Sequence, residues 1–321
     1  MTDTIVAVSR QRPSDRVDRV REGGVYVALT LVIVVNLIVT DNFLTVGNIT
    51  LQLIQVVPIL LVSLGLALSI GTEGIDLSVG AVMAIAAAAL SLSLGLGTVP
   101  ALLIALAAGA AAGAFNGILI AFVGIQPIVA TLGMLVGGRG LAQLLVGGRQ
   151  RRINDGFVLG LARTRIAGEV PVSVVIAAVL VLFVAWVTRR TTFGRYTVSI
   201  GGNRRACIYA GLPVRGTLMG VYVVSGTLAA LAGVLATARL GASDTPNVGR
   251  LIELSGITAV VVGGTPLSGG RVRIMGTVAG ALLIQCLNAT FIMNNLPFTH
   301  AQMIQAAIIV AAVYVQRARV A

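Results

Sequence analysis

Residues 71–80 read Gly-Thr-Glu-Gly-Ile-Asp-Leu-Ser-Val-Gly; they follow a long hydrophobic run at about 51–70 and include the start of a second one at about 76–94. Carboxylates between such runs are costly in a bilayer unless they face water, a partner group or a helix end. The glycines permit the helix to break here, and Asp76 or Ser78 can cap the helix that follows. The stretch predicts a broken helix, with direct contact between its acids and a substrate as the alternative.

The composition places this break in a membrane protein. Of the 321 residues, 57% are hydrophobic and 11% are charged, whereas a soluble domain has about 25% charged residues. A water-soluble globular fold is therefore excluded, and we expect an all-α integral membrane protein with about ten transmembrane helices. The runs lie at about 25–40, 51–70, 76–94, 99–122, 127–146, 171–188, 216–238, 251–264, 274–292 and 300–316.

The net charge of +12 predicts the topology. The closely spaced membrane spans leave no surface for a nucleic-acid-binding domain. The charge is instead informative about orientation, because short segments rich in Arg lie in the cytosol. We expect residues 1–24 to be a disordered cytosolic tail, 25–316 a single transmembrane domain, 189–215 a cytosolic connection, and 317–321 a second cytosolic tail. Since Lys codons are AT-rich, the absence of Lys indicates a GC-rich bacterial genome. The sequence thus predicts a multi-pass protein of the bacterial cytoplasmic membrane with both termini inside.

Two segments of the chain look related. Ile75-Asp76-Leu77-Ser78 and Ile252-Glu253-Leu254-Ser255 each open a short apolar run. The predicted topology sends these runs across the membrane in opposite directions, as an inverted repeat requires, with halves at about 51–146 and 216–316. Chance apolar similarity is the alternative. The residues predicted to pin the break and its counterpart are Gly74, Asp76, Ser78, Gly80 and Glu253.

Small residues predict where helices approach closely. Gly109, Gly113 and Gly117 recur every four residues in one run. This spacing leaves one helix face almost without side chains, so a neighbouring helix can pack against its backbone.

The connection at 147–170 is basic although the topology places it outside. Either the topology is wrong there, or an acidic partner docks on the loop; a solvated loop or contact with lipid phosphate is the remaining alternative. Charge pairs between this basic loop and an acidic protein would steer the two together and set their orientation. The docking candidates are Arg149, Arg151 and Arg152.

The cytosolic connection contains signals for a short capped helix. Asn203 is a suitable N-cap, Gly211 a suitable C-terminal residue, and Pro213 prevents continuation. A two-turn helix is unstable alone in water, so it is expected to rest on another part of the protein.

Polar residues in otherwise apolar runs are candidates for a transport pathway, with hydrogen bonding between helices as the alternative. They are Asn116, Gln126, Thr131, Asn288 and Gln305. The single His300 and the two cysteines, Cys207 and Cys286, lack the spacing of a metal site, a disulfide framework or a catalytic triad. We therefore expect no catalytic site, metal or cofactor.

Residues 74–80 resemble the signature of permease subunits of ribose- and xylose-type sugar ABC importers, within a superfamily that includes branched-chain amino acid permeases. The resemblance continues at 116–117, 127–133 and 139–140, and later at 253–254, 259–265 and 267–270. The family's cytosolic coupling segment resembles Gly202-Asn203, Ala206, Gly211 and Leu212. The resemblance implies that ATPase coupling involves Asn203, Arg204, Arg205, Ala206, Cys207, Tyr209 and Gly211.

The resemblance also implies partners. It predicts a homodimer or a pair with a sister permease, an ATP-binding subunit with two nucleotide-binding domains, and an extracytoplasmic sugar-binding protein. The chain has no phosphate-binding Gly-x-x-x-x-Gly-Lys-[Ser/Thr] loop, so ATP hydrolysis belongs to a partner. The alternatives are a branched-chain amino acid permease and an ion-coupled secondary transporter in which Asp76 and Glu253 bind protons or sodium.

Overall fold

The computed structural model describes residues 15–166 and 170–317. These residues form thirteen α-helices, joined mostly by short turns. The helices are α1 (Asp15–Val39), α2 (Val46–Gly71), α3 (Val79–Ser93), α4 (Thr98–Ile118), α5 (Pro127–Val146), α6 (Gly156–Arg163), α7 (Val172–Arg190), α8 (Thr192–Gly202), α9 (Arg204–Tyr209), α10 (Val214–Leu240), α11 (Ile252–Val262), α12 (Ile274–Met293) and α13 (Phe298–Arg317). Short 3₁₀ and π turns extend α3 to Leu96 and α4 to Val123.

The described part of the chain contains only four strands, each of two residues. β1 (Arg151–Arg152) pairs antiparallel with β4 (Ala242–Ser243), and β2 (Arg165–Ile166) pairs antiparallel with β3 (Val170–Pro171). The expectation of an all-α fold is therefore confirmed, with the two strand pairs confined to connections.

Seven helices are long and apolar enough to cross a membrane: α2, α3 with its extension, α4 with its extension, α5, α7, α10 and α12. Three shorter apolar stretches, Gly23–Val39, Ile252–Val262 and Thr299–Ala311, fall on the remaining predicted runs. Hydropathy therefore located the apolar helices correctly.

The ends of the chain and one connection differ from the sequence pattern. α1 begins at Asp15, inside the region predicted as a tail, and the rest of that tail at 1–14 lies outside the described residues, as does 318–321. The connection at 189–215 contains α8 in addition to the predicted short helix. Thr191 caps α8, because its hydroxyl accepts the amide hydrogen of Gly194 at 3.3 Å.

The centre of the bundle is formed by α2 and α10. Every residue of α2 from Val56 to Gly71 is buried, and α10 packs against α2, α3 and α4. Because lipid is as apolar as the core, close backbone packing rather than hydrophobic burial holds such helices together.

The glycine stripe of α4 forms the predicted close contact. A β-carbon at Gly109 would collide with Ala230 of α10, and one at Gly113 would collide with the carbonyl oxygen of Tyr222. A β-carbon at Gly117 would lie 3.0 Å from the Cα of Met219. The whole stripe therefore packs on the backbone of α10.

The bundle has two ends that matter for the site. At the strand end, which carries β1 to β4, the amide of Ile153 donates to the carbonyl of Gly241 at 2.9 Å, directly after α10. At the α9 end, the amide of Gly270 donates to the carbonyl of Gly71 at 3.1 Å, where α2 finishes. The two ends are kept under these names below.

Candidate functional site: two broken helices that meet

The first break lies at residues 72–78, as the sequence predicts. α2 ends at Gly71, Glu73 adopts a left-handed conformation with φ of 65°, and α3 begins only at Val79. The hydroxyl of Thr72 donates to the carbonyl of Ser69 at 2.8 Å and satisfies one acceptor at the end of α2. The chain thus turns at the α9 end and returns into the bundle.

Asp76 is the centre of the first break. Its side chain is 1% exposed. Its Oδ1 accepts hydrogen bonds from the amide of Ser78 at 3.0 Å and the hydroxyl of Ser78 at 2.6 Å, and its Oδ2 accepts one from the hydroxyl of Ser225 at 2.7 Å. Ser225 lies near the middle of α10, so Asp76 is deep inside the bundle.

The expectation that Asp76 or Ser78 caps α3 therefore needs refinement. Ser78 precedes α3 but makes no capping bond with its side chain. Its hydroxyl donates to Asp76 instead, because a buried carboxylate needs donors. Asp76 therefore stabilises the turn that precedes α3, and it does not cap the free amides in the first turn of that helix.

Two of the pathway candidates hold the same break. Asn116 of α4 is fully buried, and its Nδ2 donates to the Ser78 hydroxyl at 2.9 Å. The Thr131 hydroxyl of α5 is placed between the carbonyls of Pro127 at 2.9 Å and Ile75 at 3.2 Å. Both side chains are thereby engaged in contacts between helices.

Gly74 is required by a close neighbour. A β-carbon at this position would collide with the hydroxyl of the fully buried Tyr222 on α10. The hydroxyl of Tyr222 has no hydrogen-bond partner among the described residues. An aromatic side chain of α10 therefore occupies the space that a larger residue at 74 would need.

A second break separates α10 from α11. Gly249 and Leu251 adopt left-handed conformations, with φ of 66° and 60°. The guanidinium of Arg139, on α5, donates to the carbonyls of Pro246 and Val248 at 3.2 Å each and to that of Gly249 at 3.2 Å. One side chain thus satisfies three acceptors of a non-helical segment that would otherwise be costly inside the bundle.

The two breaks touch each other. A β-carbon at Gly80 would collide with the carbonyl oxygen of Gly249 and would lie 2.7 Å from Oε2 of Glu253. Glu253, in the first turn of α11, is 6% exposed. The two segments that look related in the sequence therefore lie side by side, joined at Gly80 and Glu253.

The capped helix α9 has the predicted termini. The Oδ1 of Asn203 accepts the amide hydrogen of Ala206 at 2.9 Å. Gly211 has φ of 72°, and the amide of Leu212 donates to the carbonyl of Cys207 at 3.0 Å, which closes the end of the helix.

Only one side chain of α9 is buried. Cys207 packs with Ala121, Ile200, Val214 and Leu218. The other predicted coupling residues are exposed, namely Asn203, Arg204, Arg205, Ala206, Tyr209 and Gly211. The helix therefore rests on the bundle through Cys207 and presents its remaining surface outward.

A chain of glycines connects α9 to the first break. A β-carbon at Gly201, in the last turn of α8, would collide with the carbonyl oxygen of Gly71 and lie 2.5 Å from the amide nitrogen of Gly270. A β-carbon at Gly269 would lie 2.8 Å from the amide nitrogen of Glu73. Backbone thus packs on backbone from α8 to the turn that leads to Asp76.

The other predicted residues lie apart from this centre. Gln126 is exposed at the start of α5, and Asn288 is half-buried on α12. Gln305 donates from α13 to the hydroxyls of Ser255 at 3.1 Å and Thr258 at 3.3 Å on α11. Of the five pathway candidates, Asn116, Thr131 and Gln305 therefore make hydrogen bonds between elements of the bundle, and Gln126 and Asn288 lie elsewhere.

The basic docking candidates are at the strand end. Arg149, Arg151 and Arg152 are all exposed. Arg151 and Arg152 form β1, whose pairing with β4 places them beside the connection from α10 to the second break. Their side chains are available to a partner.

Sequence reasoning missed the long-range partners. Ser225 and Tyr222 lie in the apolar run of α10, and Ser225 is one of its few small polar residues. The Nε2 of Gln285 donates to Oε1 of Gln52 at 2.6 Å and to Oε1 of Gln55 at 3.0 Å, joining α12 to α2. Polar residues inside apolar runs were the available signal, but it does not identify their partners.

A bundle of apolar helices with two buried, touching breaks defines a multi-pass helical membrane protein of the transport type. The chain belongs to the family described as branched-chain amino acid transport system / permease component, whose model matches residues 48–313.

Curated relatives cover almost the whole chain. It is 39% identical to a galactofuranose transporter permease protein of Escherichia coli strain K12, over 91% of this chain and 89% of the relative. It is 34% identical to a ribose import permease protein of the same strain, over 90% of this chain and 91% of the relative. It is 36% identical to the ribose import permease protein of Bacillus subtilis strain 168, over 83% of each chain. No solved structure matches the chain.

Proposed function

We propose that this chain is the permease subunit of an ATP-driven importer that translocates a monosaccharide delivered by an extracytoplasmic binding protein. The observation that carries the proposal is the similarity, over about nine-tenths of the chain, to permeases named for galactofuranose and ribose. The family description names branched-chain amino acids, so an amino acid is the second candidate substrate. The close relatives and the signature at 74–80 favour a sugar.

The proposed topology has ten spans. The seven long helices and three shorter apolar stretches account for them. The α9 end faces the cytosol because the segment 189–215 is rich in Arg, and both termini lie on that side. The strand end then faces outward, and α3 and α11 are the short helices of two inverted halves.

The proposed route of coupling begins at α9. The ATP-binding subunit, with its two nucleotide-binding domains, docks on the exposed surface of α9. Movement of α9 is passed to α8 and, through the contact of Gly201 with Gly71, to the turn before Asp76. Because these contacts are between tightly packed backbones, a displacement of α8 is transmitted to the end of α2 rather than absorbed by rearranging side chains. ATP hydrolysis in the partner thereby moves the broken helix.

The proposed path for sugar lies between two permease copies, either identical or sisters. Asp76 is assigned to holding the first break, since Ser78 and Ser225 engage it. Glu253 is assigned to the second break, where it lies against Gly80. Asn116 and Thr131 support the first break. Gln126, Asn288 and Gln305 remain candidates for contact with the moving sugar.

The proposal is tested by reconstitution. The chain is placed in proteoliposomes with its ATP-binding subunit and loaded sugar-binding protein, and uptake of radiolabelled ribose or galactofuranose is measured. We expect uptake only when all three proteins and ATP are present. Uptake by the chain alone, driven by a proton or sodium gradient, would establish the secondary transporter instead. ATP-dependent uptake of leucine but not of sugar would establish the amino acid permease.

A further inference from the structure

A cavity of about 310 Å³ opens at the strand end. It lies between the start of α2, the end of α6, the β2–β3 pair and the end of α10. Its volume is at the lower end of the range for ligand pockets, about 300–1,000 Å³. The residues that give it its chemistry are Leu51, Ile54, Arg163, Arg165, Pro171 and Arg239.

Three cations converge on this cavity. Among its described lining residues three are Arg and none is acidic. Within the described part of the chain, no hydrogen bond or ion pair engages the guanidinium of Arg163, Arg165 or Arg239. Arg163 and Arg239 lie in the last turns of α6 and α10, where the helix dipoles favour a positive charge but do not neutralise it. Among the described residues that line it, the cavity therefore has no counter-charge.

One wall of the cavity, its apolar floor, is formed by Leu51 and Ile54 of α2. Leu51 and Ile54 lie in the second and third turns of α2, with Ile54 about 12 Å along the helix from Val46. Leu51 is 47% exposed. The arginines, by contrast, come from helix ends and a strand. The cavity thus places an apolar surface beside three arginines, as a bilayer places hydrocarbon beside its headgroups.

From this arrangement we infer that the cavity binds an anionic phospholipid, with its phosphate held by Arg163, Arg165 and Arg239 and an acyl chain lying over Leu51 and Ile54. Guanidinium groups bind phosphate oxygens with paired hydrogen bonds. The apolar floor gives a lipid an advantage over a free anion, because only the lipid covers it. The site is independent of which solute the chain carries.

The experiment uses the full-length purified chain and native mass spectrometry. The delipidated protein is exposed to equal amounts of phosphatidylglycerol and phosphatidylcholine with identical acyl chains. We expect at least a roughly tenfold preference for phosphatidylglycerol, since each basic residue near a lipid surface contributes measurably to anion binding. The variant Arg163→Gln/Arg165→Gln/Arg239→Gln should lose this preference.

The matched control is Arg149→Gln/Arg151→Gln/Arg152→Gln, which removes the same charge from the same end of the molecule. It should retain the preference for phosphatidylglycerol. If both triple variants lost this preference equally, the anionic lipid would not be bound by the arginines of the cavity, and the inference would be overturned. Equal retention of the two lipids by the unmodified chain would also overturn it, without depending on how any variant folds.

Inorganic phosphate distinguishes the two sources of the anion. At millimolar concentration it should leave bound phosphatidylglycerol in place if the apolar floor contributes to binding. Complete displacement by phosphate would assign the site to a free anion and reject the lipid.

Discussion

The carboxylate of Glu253 lies against Gly80, where a β-carbon would stand 2.7 Å from its Oε2. This contact joins the first turn of α3 to the first turn of α11, at the place where both helices begin inside the bundle. A movement of either break therefore has to be accommodated by the other. Gly80 makes the contact possible because it has no side chain.

We predict that Gly80→Ala separates the two breaks. The added methyl group meets the Gly249 carbonyl as well as Glu253. The Glu253 side chain can turn aside, but the backbone carbonyl of Gly249 cannot withdraw unless the second break moves. Overpacking of this kind costs about 1–3 kcal/mol, which should appear as a lower thermal midpoint in detergent and reduced uptake. Glu253→Ala in addition should not restore stability, because the carbonyl of Gly249 remains.

Gly133→Ala is the matched control for this substitution. Gly133 lies within α5, and a β-carbon there would meet nothing within 4 Å. Replacing an unconstrained helical glycine by alanine is expected to stabilise by about 0.5–1 kcal/mol. A thermal midpoint for Gly80→Ala equal to that of Gly133→Ala would refute the packing argument.

The position of each break could be predicted from sequence, but its contacts could not. Glycines and acids between apolar runs marked the turn around Asp76, because these residues are costly inside a helix in lipid. Ser225, which binds Asp76, is 149 residues away and is one of several small polar residues in a mostly apolar run. A local sequence pattern shows that a polar residue in an apolar run is energetically costly. It does not show which residue will be its hydrogen-bond partner, because that depends on how the helices pack.

The paired segments teach the same lesson. The resemblance between residues 75–78 and 252–255 suggested a repeat, yet it gave no sign that the two touch. Similarly, the pattern at 203–213 predicted α9 with its caps, but not α8, whose contact through Gly201 links it to α2. Short-range capping signals are visible in sequence, and backbone-to-backbone contacts between distant glycines are not.

We predict that Asp76→Ala destabilises the protein more than any other loss of a single carboxylate in the described chain. It leaves the buried hydroxyls of Ser78 and Ser225 without their acceptor, at about 1–3 kcal/mol for each unsatisfied group. Asp76→Asn keeps one acceptor oxygen and should therefore reduce the stability less than Asp76→Ala does. The thermal midpoint of the detergent-purified protein measures both effects.

Glu73→Ala provides the comparison, since this exposed carboxylate lies three residues away in the same turn. It removes the same charge without leaving a buried donor, so its thermal midpoint should stay close to that of the parent. If Glu73→Ala and Asp76→Ala were equally destabilising, the hydrogen-bond network would not be what holds the break.

Asp155 at the strand end should make stability depend on acid pH. The Thr98 hydroxyl, which donates to its Oδ2 at 2.6 Å, and the Val158 amide, which donates to its Oδ1 at 2.9 Å, hold the pKa of this carboxyl below its ordinary value. A lowered pKa stabilises the fold above the ordinary carboxyl pKa, and this contribution is lost as the pH falls through the lowered value.

The test compares thermal midpoints of the parent and Asp155→Asn across pH. The parent should be the more stable at pH 7, and the difference should shrink below about pH 5. Thr98→Val should reduce the difference, because it removes the principal donor. A difference that does not change with pH would show that the charge of Asp155 is irrelevant to stability.

Tyr209 on α9 is expected to be an anchor for the ATP-binding subunit. It is 89% exposed, and the adjacent Ile208 is 56% exposed, so neither supports the bundle. Exposed aromatic residues on a docking surface often contribute most of the binding energy. Tyr209→Ala should weaken association by roughly tenfold or more while leaving the thermal midpoint unchanged.

Tyr314→Ala removes the same side chain from another exposed position, on α13, and serves as the control. Its affinity for the ATP-binding subunit, measured by surface plasmon resonance in detergent, should match that of the parent. Equal affinities for the Tyr209 and Tyr314 variants would place the ATPase contact elsewhere than α9.

The last prediction concerns the strand end, where Arg149, Arg151 and Arg152 are expected to receive acidic groups of the binding protein. Substitution of all three by Glu should abolish uptake, and substitution by Gln should reduce it, because repulsion is added to the loss of steering. Both variants should assemble normally with the ATP-binding subunit at the opposite end. The pairing of β1 with β4 uses backbone groups, so it survives either change.

Uptake in proteoliposomes at two salt concentrations measures this effect, since charge steering weakens as ionic strength rises. The parent should lose more uptake at high salt than the Gln variant does, because the variant has less steering to lose. Normal uptake by the Glu variant would refute a docking role for these arginines, and the exposed loop would then face only solvent or lipid.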